Sequence, residues 1–281
     1  MWGDKMKKVI AAAISVFIAV IIICTAFNET INSARANMLY KEKISVYSPT
    51  NKAYTVTLKK NDYIYFGKYN GKNILWKVIS VDENGSPLLM SERAICFMPF
   101  NSNKTVTAGS SDWKNSSIRQ WLNSSETKKF EFFCNPENKI TNDSITVNGG
   151  FLCTDNFSAE ELSALKEDND KVFLPTTEML SEMTPQARKK SPTADAVINT
   201  SSAFLQIRHN CWYWTQTPIA TNTSSVTAVT SSGSYYKSLA NDGLTGVCPA
   251  VYFDGAEISV CGGNGTVKLP YIFEAEGIIN E

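Results

Sequence analysis

Trp113-Lys-Asn-Ser-Ser-Ile-Arg-Gln-Trp-Leu-Asn123, Trp212-Tyr-Trp-Thr-Gln-Thr-Pro218 and Gly246-Val-Cys-Pro-Ala-Val-Tyr-Phe253 decide how this chain is read. Each sets aromatic or apolar residues beside groups that need a hydrogen-bond partner. None has the spacing of a metal, nucleotide or catalytic motif, so no cofactor, metal ligand or catalytic residue is assigned. In the first block Ser116 or Ser117 is suited to cap a short helix, and Ile118, Trp121 and Leu122 share one helical face. Arg119 flanks that face, so it is expected to anchor a loop carbonyl or carboxylate. In the second block strand alternation puts Trp212 and Trp214 on one face, expected to fill the core. Tyr213 takes the other face and is expected outward.

Further strands lie on both sides of these blocks. Tyr63-Ile-Tyr-Phe66 and Ile74-Leu-Trp-Lys-Val-Ile79 are β-rich runs around Asn70-Gly71, a dipeptide suited to a tight hairpin turn. A second turn at Asn84-Gly85 leads to Pro87-Leu-Leu-Met-Ser91, which completes an antiparallel meander with Trp76 in its core. Ser158-Ala-Glu-Glu161 is a capping box opening a helix through Leu165. Thr176 or Thr177 is expected to cap another helix, and Thr184-Pro185 a further one. The Ser/Thr-rich stretch 221–233 reads as a long loop or an edge hairpin. Strands return at 246–253, 258–260 and 267–273. The expected class is α+β, with antiparallel strands and short helices.

Location is read from the N-terminus. Lys5, Lys7 and Lys8 precede an apolar run over residues 9–27 that only Ser15 and Thr25 interrupt. A helix of that length rises about 28 Å, close to the hydrocarbon thickness of a bilayer. Lysines ahead of the run keep residues 1–8 cytoplasmic, and the remainder is exported. A retained signal anchor is the preferred reading, with cleavage after Ala34-Arg35-Ala36 as the alternative. Residues 28–60, rich in Asn, Ser, Lys and Thr and broken by Pro49, read as a stalk before a domain at 61–281.

Formal charge is zero, from 27 basic and 27 acidic residues, which leaves no electrostatic footprint for nucleic acid. Cys96, Cys134, Cys153, Cys211, Cys248 and Cys261 follow the apolar run. That even count in an exported domain permits three disulfides, with buried free thiols as the alternative. Cys211 with Cys248 is the preferred pair, because both sit in the deciding blocks. The single histidine, His209, is read as solvated rather than catalytic. Glu167-Asp-Asn-Asp170 lacks the surroundings of a calcium loop and is read as a solvated acidic turn.

The ordered motifs resemble an uncharacterised domain family of Gram-positive exported proteins. That family carries W-x-x-S-x-[IL]-R-x-W-L-N, F-L-[PS]-[ST]-x-E, W-W-L-R-[ST]-P and G-V-[RC]-P-A. Trp113, Ser116, Ile118, Arg119, Trp121, Leu122 and Asn123 fill the first, and Phe173-Leu-Pro-Thr-Thr-Glu178 the second. Trp212 to Pro218 and Gly246 to Ala250 fill the last two, so the resemblance spans roughly residues 61–254. The family's Arg after the paired aromatics is Gln216 here, and Cys248 stands where Arg is frequent. The order of elements looks like the C-type-lectin and formylglycine-generating-enzyme fold, which implies an architecture and no activity.

The leading expectation is a membrane-anchored extracellular binding module without catalysis, whose partner is a cell-surface glycan, the cell wall or a protein. Its ligand surface is expected between Gln216 and Asp242, with Tyr213, Tyr235, Tyr236 and Asn241 as further contacts, since Tyr and Asn make adaptable contacts at low entropic cost. Trp113, Arg119, Trp121, Trp212, Trp214, Cys211 and Cys248 are assigned to the framework. One alternative is an exported enzyme related to formylglycine-generating oxidases, which needs a free reactive thiol among Cys211, Cys248 and Cys261. Another is a structural subunit of an envelope complex.

Overall fold

Stretches rich in β-branched and aromatic residues become strands here, and short polar runs set the turns between them. The computed structural model describes residues 53–102, 109–134, 144–199 and 210–274. Strands β1 (Tyr54–Thr57), β2 (Tyr63–Tyr69), β3 (Lys72–Val81) and β4 (Pro87–Ser91) come first, then the short β5 (Arg93–Ala94) and β6 (Cys96–Phe97). Helix α1 (Ser117–Leu122), the pair β7 (Lys129–Phe133) and β8 (Ser144–Asn148), and helix α2 (Ala159–Ser163) follow. Helix α3 (Pro185–Arg188), β9 (Ser191–Pro192) and helix α4 (Ala194–Ile198) lead to β10 (Tyr213–Ile219), β11 (Asn222–Val229) and β12 (Tyr235–Leu239). The last strands are β13 (Gly246–Val247), β14 (Ala250–Tyr252), β15 (Glu257–Gly262) and β16 (Tyr271–Phe273). The class is mixed α+β and dominated by strands.

A seven-stranded sheet runs in the order β1-β15-β16-β2-β3-β4-β14, and a five-stranded sheet in the order β12-β11-β10-β13-β6. Nearly all their neighbours are antiparallel, the exceptions being β16 with β2 and β10 with β13. The β2–β3–β4 meander forms as the sequence implies. Asn70 and Gly71 both take positive φ, 50° and 72°, as a primed turn demands.

The two sheets and α1 share a core. Phe66, Trp76, Val78 and Leu89 of the large sheet meet Trp214, Val226 and Val247 of the smaller one and Ile118, Trp121 and Leu122 of α1. A second cluster gathers Ile79, Leu88, Met90, Phe173, Leu180, Tyr213, Val229, Cys211 and Cys248. Sequence neighbours Val78 and Ile79, Leu88 and Leu89, and Tyr213 and Trp214 enter different clusters. These strands are therefore buried on both faces, and alternation along them does not separate inside from outside.

That arrangement corrects several expectations. Tyr213 is not outward: it is fully buried, and its hydroxyl donates to Arg188 O at 2.9 Å. Trp214 fills the core as expected, whereas Trp212 is half-buried and packs edge-on against Tyr236, centroids 5.9 Å apart. The Ser/Thr-rich stretch is neither loop nor edge, because β11 lies inside its sheet between β12 and β10. Residues 177–182 make successive turns instead of a helix. The end of the expected stalk is a strand: Tyr54–Thr57 pairs with Glu257–Val260. The capping box is present at Ser158 and Glu161, but its helix stops at Ser163.

No disulfide joins the described cysteines. Cys96, Cys153, Cys211 and Cys248 are buried thiols, and Cys134 and Cys261 are half-exposed. The parallel register sets Tyr213 against Gly246, so Cys211 lies before that pair and Cys248 beyond it. The expected membrane helix at 9–27, the stalk up to residue 52 and His209 lie outside the described residues. Among the described residues no helix is long and apolar enough to cross a membrane.

Candidate functional site

Helix α1 is short, and its ends are held by side chains. Ser116 caps it, accepting from Arg119 N at 3.2 Å and donating to Trp113 O at 2.9 Å. Ile118, Trp121 and Leu122 are buried, and Trp121 donates its indole N–H to Gly149 O. At the far end the Asn123 amide acts like a strand partner. It donates to Val172 O at 2.8 Å and accepts from Val172 N at 3.1 Å.

The remaining polar groups of this segment converge on Asp170. Arg119 forks onto it, with Nε at 2.9 Å from Oδ2 and a terminal nitrogen at 2.7 Å from Oδ1. Trp113 adds its indole N–H to Oδ2 at 3.0 Å, and Arg119 also donates to Lys114 O. Asp170 is therefore not part of a solvated acidic turn. A planar guanidinium matched to both carboxylate oxygens fixes the loop that carries it.

These contacts form one side of a groove of about 740 Å³. Arg119, Gln120 and Asn123 line the α1 side, and Glu167, Asn169, Asp170 and Lys171 the loop side. The third wall is the ribbon 124–130, which pairs with the chain ahead of α2 through Gly150 N to Glu126 O and Leu152 N to Ser124 O. Gly150 is required there, since a Cβ would stand 2.1 Å from Ser124 O. Phe130, Leu152 and Leu162 supply the apolar floor. Each groove cation has a carboxylate partner: Arg119 with Asp170, Lys128 with Glu126, and Lys171 with Glu167.

The chain segment 84–255, well over half of the 281 residues, matches a protein family described as a domain of unknown function. The chain belongs to DUF6273. Every residue that lines the groove falls inside the matched segment, as do the motifs around Trp113, Phe173, Trp212 and Gly246. Of the chain's strands, β1, β2 and β3 precede the DUF6273 segment and β15 and β16 follow it, although both groups pair within its large sheet. No curated protein and no solved structure matches the chain.

The residues expected to touch a ligand are mostly scaffold of the DUF6273 domain. Tyr235 is half-buried under the Arg188 guanidinium, 4.5 Å from its ring centroid, and its hydroxyl donates to Thr177 O. Asn241 is buried. Asp242 organises its own turn, accepting from Leu244 N, Ser238 Oγ and Thr245 Oγ1. The main chain of Gln216 donates to Pro175 O, which joins the second and third motifs. Tyr236 alone of the six is well exposed, at 57%. Trp212 and Asp242 do line a second, smaller cavity of about 240 Å³ with Leu244 and Thr245.

Sequence reasoning missed the groove because its walls come from segments up to about fifty residues apart. The available signals were Arg119 in the first motif and the acidic run 167–170, which the amino-acid order does not connect. Cys211 and Cys248 are poorly placed for chemistry. Burial pushes the Cys248 thiol up to about 12 and raises Cys211 well above its ordinary value, so both stay protonated at neutral pH. Among the described residues no cluster of His, Cys, Asp and Glu is arranged to hold a metal ion.

Proposed function

We propose that this protein is an extracellular binding module, held at the membrane by the apolar run at 9–27, that seats its ligand in the groove beside Arg119 and Asp170. The observation that carries this reading is the groove itself. Its volume of about 740 Å³ lies within the range of roughly 300–1,000 Å³ common to ligand sites. The bidentate Arg119–Asp170 pair and the Asn123 clamp hold two of its walls, so little ordering remains to be done on binding. The order of motifs supports a C-type-lectin-like arrangement of the domain. The partner is a component of the cell surface, a glycan or a protein.

An exported oxidase fits less well. That reading needs a thiolate among Cys211, Cys248 and Cys261, and burial raises all three above the ordinary thiol value.

Adsorption of the purified protein to intact bacterial cells tests the binding reading. Saturable adsorption is expected, and Gln120→Trp, which places a bulky ring in the groove from an exposed helix position, should abolish it while the circular dichroism spectrum is unchanged. Adsorption by the variant equal to that of the parent would remove the groove from the account.

A further inference from the structure

We infer that the groove takes a neutral polyhydroxylated ligand, an oligosaccharide without charged groups; this rests on the groove being the ligand site. The argument begins with charge. Arg119, Lys128 and Lys171 are matched one to one by Asp170, Glu126 and Glu167 within the groove. A phosphate, sulfate or carboxylate on a ligand would meet no cation without a carboxylate beside it, and to reach the partly buried Arg119 it would have to take the guanidinium from Asp170. Arg119 resists that exchange most, since both its pairing nitrogens are spent on one carboxylate.

A hydroxyl group suits such a wall. It donates to a carboxylate oxygen and accepts from an ammonium or amide in the same place, so it can bridge an ion pair without breaking it. Gln120, Ser125 and Asn169, all exposed, add amides and a hydroxyl of the same double character. The floor offers Phe130, half-buried, with the Lys128 ammonium 5.6 Å from its ring centroid. The exposed Lys128–Glu126 pair is worth little in water, so Lys128 can leave the ring and let the C–H face of a sugar cover it. An apolar peptide finds less, because Phe130, Leu152 and Leu162 are the apolar members of a lining that is otherwise polar or charged.

Titration calorimetry of the full chain against a set of soluble ligands tests this. The probes are neutral N-acetylglucosamine and glucose oligomers, a sulfated oligosaccharide, and short mixed-sequence peptides. A neutral oligomer is expected to bind with an affinity that changes less than about twofold between low and high salt, as befits contacts without a net charge. Asn169→Ala should weaken it by about tenfold, the loss of one or two hydrogen bonds, and Gln120→Trp should eliminate it. Binding of the sulfated sugar or a peptide in place of the neutral oligomers, still blocked by Gln120→Trp, would overturn the ligand class and leave the groove standing. Neutral-sugar binding indifferent to both substitutions would overturn the groove as the site. Absence of binding to every neutral oligomer, with cell adsorption retained, would overturn the ligand class.

Discussion

Tyr235 and Tyr236 are sequence neighbours with opposite roles. Tyr235 lies beneath Arg188, whose guanidinium donates to Gly233 O and Met183 O, so ring and cation together clasp the β11–β12 turn to the loop ahead of α3. Tyr236 is mostly in solvent and touches Trp212 edge-on. Residue type, tyrosines suited to adaptable contacts, assigned both to a ligand surface, and of the two only Tyr236 is free of a framework duty. Tyr235→Ala is expected to cost about 2–3 kcal/mol of stability, through lost ring burial and the cation–π contact. Tyr236→Ala should stay within about 1 kcal/mol. Urea unfolding of the two variants separates them, and equal midpoints would contradict the clasp.

At the level of elements, α1 has only six residues and cannot stand by itself. It is held by its Ser116 cap, by its apolar face and by side chains that reach other segments. The link from Arg119 and Trp113 to Asp170 ties it to the loop before Phe173. Asp170→Asn keeps the shape but removes the charge and one acceptor oxygen. The expected loss is about 1–2 kcal/mol, less than for a deep ion pair because Arg119 is 27% exposed and water screens it. Denaturant unfolding reads this directly, and an unchanged midpoint would mean that the pair does not hold the loop. The same substitution is expected to weaken adsorption to cells, since it loosens one groove wall.

Over the whole molecule, burial of thiols and phenols makes stability depend on alkaline pH. Cys96, Cys211 and Cys248 are raised above the ordinary thiol value of 9.0, and Tyr69 and Tyr213 well above the phenolic 10.0, in each case chiefly by burial. The folded state favours their protonated forms. The contribution is therefore fully present below the unfolded values and is lost as pH rises through the folded ones. Urea midpoints should be level from about pH 7 to about pH 8.5 and fall above pH 9. A thiol reagent at pH 8 should leave these three cysteines unmodified until the chain unfolds. Rapid labelling of Cys211, Cys248 or Cys261 in the native protein would restore the oxidase reading.

Local patterns were legible in the amino-acid order. The Asn70-Gly71 turn, the meander around it, the Ser116 and Thr184 caps and the Ser158–Glu161 box each depend on residues a few positions apart, and the backbone follows their preferences directly. Core tryptophans Trp76, Trp121 and Trp214 were readable from the drive of large apolar rings to leave water, although the same reasoning misplaced Trp212, which is half-buried. Tertiary structure alone decided which polar groups meet. Asp170 reaches Arg119 across 51 positions and Asn123 reaches Val172 across 49, distances at which sequence carries no periodic signal. It also decided that Tyr213 is buried. Alternation tells which face of a strand a side chain takes, and only the packing of a second layer on that face tells whether water can reach it.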